Sequence, residues 1–142
     1  MTQRSNEATN RVALDLMASM AIRTYKDLNV FCESYRLALD VSKASRALPA
    51  FEQFELGKQL RRAARSIPAN IVEGWAKRTS PVEFRRYLQI SIGSCEESKF
   101  WLELGRDEGY LAPEKCEELR NRFNVVGAML QNLWKGWKTF GK

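Results

Sequence analysis

Lys58, Arg61, Arg62 and Arg65 fall at i, i+3, i+4 and i+7. That spacing brings side chains onto one face of a helix, and no carboxylate interrupts them. Ammonium and guanidinium groups only donate hydrogen bonds, so such a stripe has the chemistry of a surface that takes an anion. Lys77, Arg78, Arg85 and Arg86 follow, and from Gly57 to Arg86 these eight cations face only Glu73 and Glu83, a net +6. From Glu96 to Glu118 the balance reverses, with eight acids against Lys99, Arg106 and Lys115, a net −5. The chain is electrically polarised, and its total charge of +6 with a pI near 9.4 favours polyanions. All eight cations are therefore candidate contacts to the phosphates of RNA or DNA. Backbone contact of this kind gives weak sequence preference and strong salt dependence. A competing account pairs some of them internally: in an antiparallel hairpin turning near Lys77, residue 58 is level with about residue 96. Lys58 and Arg61 would then meet Glu96 or Glu97, leaving Arg78, Arg85 and Arg86 over.

Other chemistries find little support. There is no histidine in the 142 residues, so no serine has the usual base and no helix carries a Glu-x-x-His metal pair. Cys32, Cys95 and Cys116 are widely spaced without a C-x-x-C pair, which suggests neither a disulfide framework nor a zinc site, but reduced thiols in a cytoplasm. No glycine-rich phosphate loop matches. The expectation is a non-enzymatic protein without metal or cofactor, and with no secretory signal or membrane span.

The elements that must position the cations are helices. Leu56, Leu60, Ala63, Ile67, Ile71 and Gly74 build one apolar seam beside the basic stripe. The spacing predicts helix A from an Asp27 N-cap to Leu48-Pro49, with Leu28, Phe31, Tyr35, Ala38 and Leu39 inward. Helix B spans Glu52 to Gly74, kinked at Pro68, with Ser66 and Asn70 placed to satisfy backbone groups that the proline frees, and Gly74 as its stop. Trp75 to Thr79 form a connection in which Trp75, among cations, is a candidate for stacking on bases, whereas Trp101 and Trp137 suit packing. Ser80-Pro81-Val82-Glu83 reads as a capping box opening helix C, which runs to about Glu108. Its seam is Phe84, Tyr87, Leu88, Ser91, Cys95, Ser98 and Leu102, whose small members suit close packing. After the break at Gly109 to Pro113, helix D carries Leu119, Phe123, Val126, Leu130, Leu133 and Trp137 in heptad register. Four such helices on short links predict an all-α, up-down-up-down antiparallel four-helix bundle over residues 25–140. Residues 1–24 form an extension that is loose or carries a short helix through Val12, Leu14, Leu16, Met17 and Met20. A subunit with one basic and one acidic end also suits head-to-tail assembly into a ring.

The stretch from Gln59 to Gly74, QLRRAARSIPANIVEG, with Glu83-Phe84 and the IGSCEE run at Ile92 to Glu97, resembles a known family. This is the four-helix-bundle family first noticed as proteins encoded in intervening sequences of bacterial large-subunit ribosomal RNA. It includes the accessory variability determinant of diversity-generating retroelements. The resemblance covers about Tyr25 to Leu133, through Arg62, Ser66, Pro68, Asn70, Glu73 and Gly74, and departs modestly at Cys95. It implies a homopentameric, barrel-like ring with a basic surface. In the retroelement branch it further implies a partner of reverse transcriptase and nucleic acid that is not itself an enzyme.

Overall fold

The computed structural model describes residues 3–7 and 22–140, with side chains as far as Trp137. The expected helix through Val12 to Met20 lies outside the described residues. Residues 3–7 are helical, and no strand occurs among the described residues. Four long helices follow: α1 Asn29–Ser45, α2 Leu56–Ala76, α3 Pro81–Asp107 and α4 Pro113–Phe140, with short 3-10 turns at Tyr25–Asp27 and Ala50–Glu52.

Each helix packs on the next in sequence, and α1 closes against α4. The partners run in opposite directions. Between α2 and α3, Arg62 reaches Glu97, Ser66 reaches Ser94 and Ile67 reaches Ser91. Between α3 and α4, Phe84 meets Trp137 and Leu102 meets Cys116. The turn between α2 and α3 thus lies at the end of the molecule opposite the α1–α2 and α3–α4 links.

The apolar seams expected for α2 and α3 are buried throughout, and Leu119, Phe123, Val126 and Leu130 of α4 join them in one core. The serines pack as expected: Ser91 Oγ donates to the Ile67 carbonyl across the helix pair at 2.9 Å, and Ser98 Oγ to Ser94 O at 2.8 Å. Satisfied hydroxyls of this size bury at little cost and let helices approach closely.

Helix α1 departs from its expected register. Val30, Ser34, Leu37, Ala38, Val41 and Ser45 face inward, while Tyr35 and Leu39 are 51% and 56% exposed. The reason is again hydroxyl chemistry: Ser34 and Ser45 donate to the carbonyls of Phe31 and Ser42 within their own helix. A hydropathy pattern counts those two positions as polar. Asp27 does not cap α1 either. It closes a capping box on the preceding 3-10 turn, accepting from the amides of Arg23 and Thr24 at 2.8 and 3.0 Å, and Leu28 is the residue before α1.

Helix α2 starts four residues later than Glu52 and ends two beyond Gly74. Ala50–Glu52 is a 3-10 turn, and the Glu52 carboxylate accepts from the Leu56 amide at 3.1 Å. Gly74 is no stop but a point of closest approach, since a Cβ there would lie 2.7 Å from Tyr87 Cβ. Gly109, at φ 81°, is the glycine that ends a helix, following α3. Pro68 sits buried inside α2, which continues through it as one element. Its missing N–H deprives the Ala64 carbonyl. The Asn70 amide donates not to that carbonyl, as expected of it, but to Ser66 O at 2.7 Å and Ser66 Oγ at 2.9 Å. Ser80 Oγ accepts from Glu83 N at 3.3 Å, but the return arm of the capping box is replaced: Ser80 N donates to Lys77 O, and the Glu83 carboxylate turns to Arg86.

Candidate nucleic-acid interface

The eight cations divide into two groups. The stripe on α2 lies along the outside of the helix, where its members lean to different neighbours. Arg61 is a strut: one nitrogen donates to Ser45 Oγ at 3.0 Å and another to the Gln53 carbonyl at 2.6 Å. It ties the α1–α2 link to α2. Arg65 donates to Ser42 Oγ at 3.3 Å. Arg62 pairs with Glu97 at 3.3 Å with both side chains substantially exposed, an arrangement worth only ~0–1 kcal/mol. Lys58 is exposed and has no ion pair among the described residues. The expected level of residue 58 with residue 96 is therefore one helical turn off. Arg62, not Lys58 or Arg61, meets Glu97, because the link turns at Arg78 to Ser80 and not at Lys77; Glu96 pairs with Lys99.

The second group, at the α2–α3 turn, is built differently. The Arg78 guanidinium lies 4.4 Å from the Trp75 ring centroid and donates to the Trp75 carbonyl at 3.0 Å. Arg85 lies 3.9 Å over the ring of Trp134 on α4. Lys77 and Arg86 approach the Tyr87 ring at 4.9 and 4.6 Å. Each contact of this type contributes about 0.5–2 kcal/mol and fixes a long side chain that would otherwise wander. Lys77 Nζ also donates to Tyr87 OH at 2.7 Å, and that bond is the main reason its pKa stands above the ordinary lysine value. Arg86 has an acidic partner, Glu83 at 3.2 Å, whose own pKa is held down chiefly by that hydrogen bond. Arg85 has a buried Nε with no hydrogen-bond partner among the described residues.

The expectation that Trp75 stacks on bases is not met. It is 9% exposed, belongs to α2, and packs edge-on against Phe84 with Trp137 6.3 Å away. Trp137 packs as expected, 4.5 Å from Phe84, and Trp101 is part-buried with its Nε1 donating to Glu97. The sequence reading missed Tyr87 and Trp134 as supports for cations. Tyr87 was legible, lying next to Arg86 on a helix; Trp134 was not, being 49 positions from Arg85.

No group of His, Cys, Asp and Glu suited to a metal occurs among the described residues, nor does any helix there long and apolar enough to cross a membrane. Two surface grooves of about 180 Å³ lie along the α1–α4 and α3–α4 seams, and neither includes any of the eight cations. That volume is small against the ~300–1,000 Å³ of ordinary small-molecule sites. Burial pushes the Cys95 thiol up to about 12, and the Cys116 thiol upward as well.

The arrangement defines an all-helical protein with a basic end and aromatic-supported cations. Residues 26–132 match the 23S rRNA-intervening sequence protein family, and the chain belongs to it. A solved structure of a protein of unknown function, from the S23 ribosomal protein family of Bacteroides thetaiotaomicron, is 27% identical. It covers 75% of this chain and 95% of its own, with a TM-score of 0.69. No curated protein matches this chain.

Proposed function

We propose that the chain is a non-enzymatic, cytoplasmic nucleic-acid-binding subunit that grips RNA or DNA by the phosphate backbone through its basic end. The observation that carries the reading is the set of Lys77, Arg78, Arg85 and Arg86 held against aromatic rings, three of them without a carboxylate partner among the described residues. A guanidinium held against a ring keeps its charge and has already given up part of its freedom, so less ordering remains when a phosphate arrives. Lys58, Arg62 and Arg65 extend the same surface along α2, while Arg61 serves the fold. In this reading the four helices form an up-down-up-down bundle, and copies assemble into the pentameric ring that the family resemblance implies. It further takes the chain as an accessory factor of a diversity-generating retroelement, with a reverse transcriptase as partner. Neither metal nor cofactor is required.

A second reading, a structural oligomer that binds no nucleic acid, is favoured by Val82, Ile90 and Phe100. These are 73%, 40% and 54% exposed along the outer side of α3. One experiment separates the two: anisotropy titrations with structured RNA and duplex DNA at several salt concentrations, with oligomer mass measured on the same sample. Four engaged cations per protomer give a slope of about −3.6 in log K against log salt on duplex DNA. Arg85→Glu with Arg86→Glu should abolish binding while leaving the mass unchanged. A lost oligomer, or no binding at low salt with the oligomer intact, overturns the nucleic-acid reading.

A further inference from the structure

The basic end holds two cations that the charge count from Gly57 to Arg86 leaves out. Arg65 reaches Ser42 Oγ and Arg61 reaches Ser45 Oγ, so α1 and α2 are antiparallel with residue 42 near residue 65. Thirteen residues back from Ser42 is Asn29, the start of α1, and thirteen on from Arg65 is Arg78, so the two stand level. The 3-10 turn Tyr25–Asp27 that leads into α1 packs on both α1 and α2 there. Its capping box fixes it, as do Tyr25 edge-on against Phe31 at 4.8 Å and Cys32 Sγ donating to the Lys26 carbonyl at 3.3 Å. Arg23 and Lys26 are exposed, and neither has an ion pair among the described residues. The carboxylates at this end are already engaged. Asp27 accepts from the amides of Arg23 and Thr24, Glu33 pairs with Arg36 at 3.4 Å, Glu83 pairs with Arg86 at 3.2 Å, and Glu73 accepts from Tyr87 OH at 3.4 Å.

The rings beside these cations are spent as well. Trp75 is buried under Arg78, Tyr87 is buried beside Lys77 and Arg86, and Trp134 packs against the core with Arg85 over it. Tyr35, an exposed ring, stands nearly two turns into α1 against Phe31. The two surface grooves lie along other seams and include none of the cations of this end. Proteins that hold single strands combine a basic channel with rings on which successive bases stack. We infer, resting on the nucleic-acid reading above, that Arg23 and Lys26 join Lys77, Arg78, Arg85 and Arg86 in one basic face that takes the backbone of a duplex in preference to a single strand. A duplex carries about one phosphate charge per 1.7 Å of its axis, twice that of one strand, and needs no stacking partner. Phosphate contact does not distinguish an RNA duplex from a DNA duplex, so both enter the test.

The test is an anisotropy titration of the full chain with a short mixed-sequence duplex, in RNA and in DNA form, and with each constituent strand alone at the same salt. The tighter-binding duplex should exceed both of its own strands at least tenfold. Arg23→Gln with Lys26→Gln should weaken duplex binding at least fivefold and reduce the steepness of the salt slope on DNA by about 1.8, two contacts at ~0.9 each. Lys26→Gln alone, with a reduction of about 0.9, decides the matter if the double variant fails to fold. Lys43→Gln with Lys115→Gln removes the same charge from the far end, in the last turn of α1 and the first of α4, and should leave duplex binding within twofold. Equal or tighter binding of a single strand overturns the inference and leaves the nucleic-acid reading standing. So does an Arg23 and Lys26 variant that loses no more than the far-end control, since the effect is then net charge. No binding of any of these nucleic acids at low salt overturns both.

Discussion

Gly74→Ala isolates the closest approach between α2 and α3, the pair whose turn carries the basic end. An alanine Cβ at this position would lie 2.7 Å from Tyr87 Cβ and 3.2 Å from a ring carbon of Phe84. The first of these is attached directly to the α3 backbone, so no rotamer change removes the overlap and the two helices must separate. Overpacking of this kind costs about 1–3 kcal/mol. Against it stands the helix propensity gained when glycine becomes alanine in a helix interior, about 0.8–1.0 kcal/mol. The net expectation is a loss of about 0–2 kcal/mol, centred near 1. Gly93 supplies the internal standard, because it is exposed in α3 and a Cβ there meets nothing within 4 Å. Gly93→Ala should therefore gain up to ~1 kcal/mol, which puts the two alanine variants about 2 kcal/mol apart. Urea unfolding followed by far-UV circular dichroism measures both, with the midpoint shifting and the slope unchanged. The reasoning is refuted if Gly74→Ala is as stable as Gly93→Ala, for the glycine would then be no contact point.

Phe123 is fully buried, and Phe123→Ala should cost about 3–5 kcal/mol in the same unfolding assay. Asp27 has its pKa lowered, first by the hydrogen bond from the Thr24 amide and then by that from Arg23. Its contribution is present above the unfolded value near 3.8 and is lost as pH falls through the lower folded value; Asp27→Asn should flatten the acid limb of a stability–pH curve below about pH 4. With Cys95 raised to about 12 by burial, iodoacetamide at pH 8 should label Cys32 first in the folded chain, and Cys95 and Cys116 only on unfolding, read by mass spectrometry. Trp134→Leu keeps every charge but removes the ring under Arg85. It should weaken nucleic-acid binding several-fold with little change in salt slope; a binding constant equal to that of the native chain would show that the ring does not position the cation.

The legible parts of this chain were those written in local chemistry. Continuous apolar seams placed α2, α3 and most of α4, because Leu60, Ile67, Phe84 and Phe123 repeat at helical spacing with no competing pattern. Serine was legible only where it joined such a seam: Ser91 and Ser98 were read inward, while Ser34 and Ser45 were not. Their hydroxyls are satisfied by their own helix, which hydropathy cannot register, and the inward face of α1 was therefore misassigned to Tyr35 and Leu39. Gly74 and Gly109 were told apart only by geometry. One sits against Tyr87 within a helix and the other adopts a positive φ after one.

For the candidate site, the charge count found all eight cations but not their division of labour. Arg61 and Arg62 are adjacent in sequence, yet about 100° of helix rotation turns one into the α1–α2 link and the other towards Glu97. The distinction that matters is therefore not how many cations share a stripe but what each already holds. Arg61 is committed to a backbone carbonyl and Arg62 to a carboxylate, so their charges are at least partly spent within the fold. Arg85 is held by a ring face, which fixes a guanidinium without neutralising it, and Arg78 has the same support while also giving one N–H to the Trp75 carbonyl. Charge kept and position fixed is what a phosphate-binding surface requires. In the proposed reading the weight of the interface therefore falls on the α2–α3 turn and on Trp134 of α4, rather than on the stripe of α2 to which the sequence first directs attention.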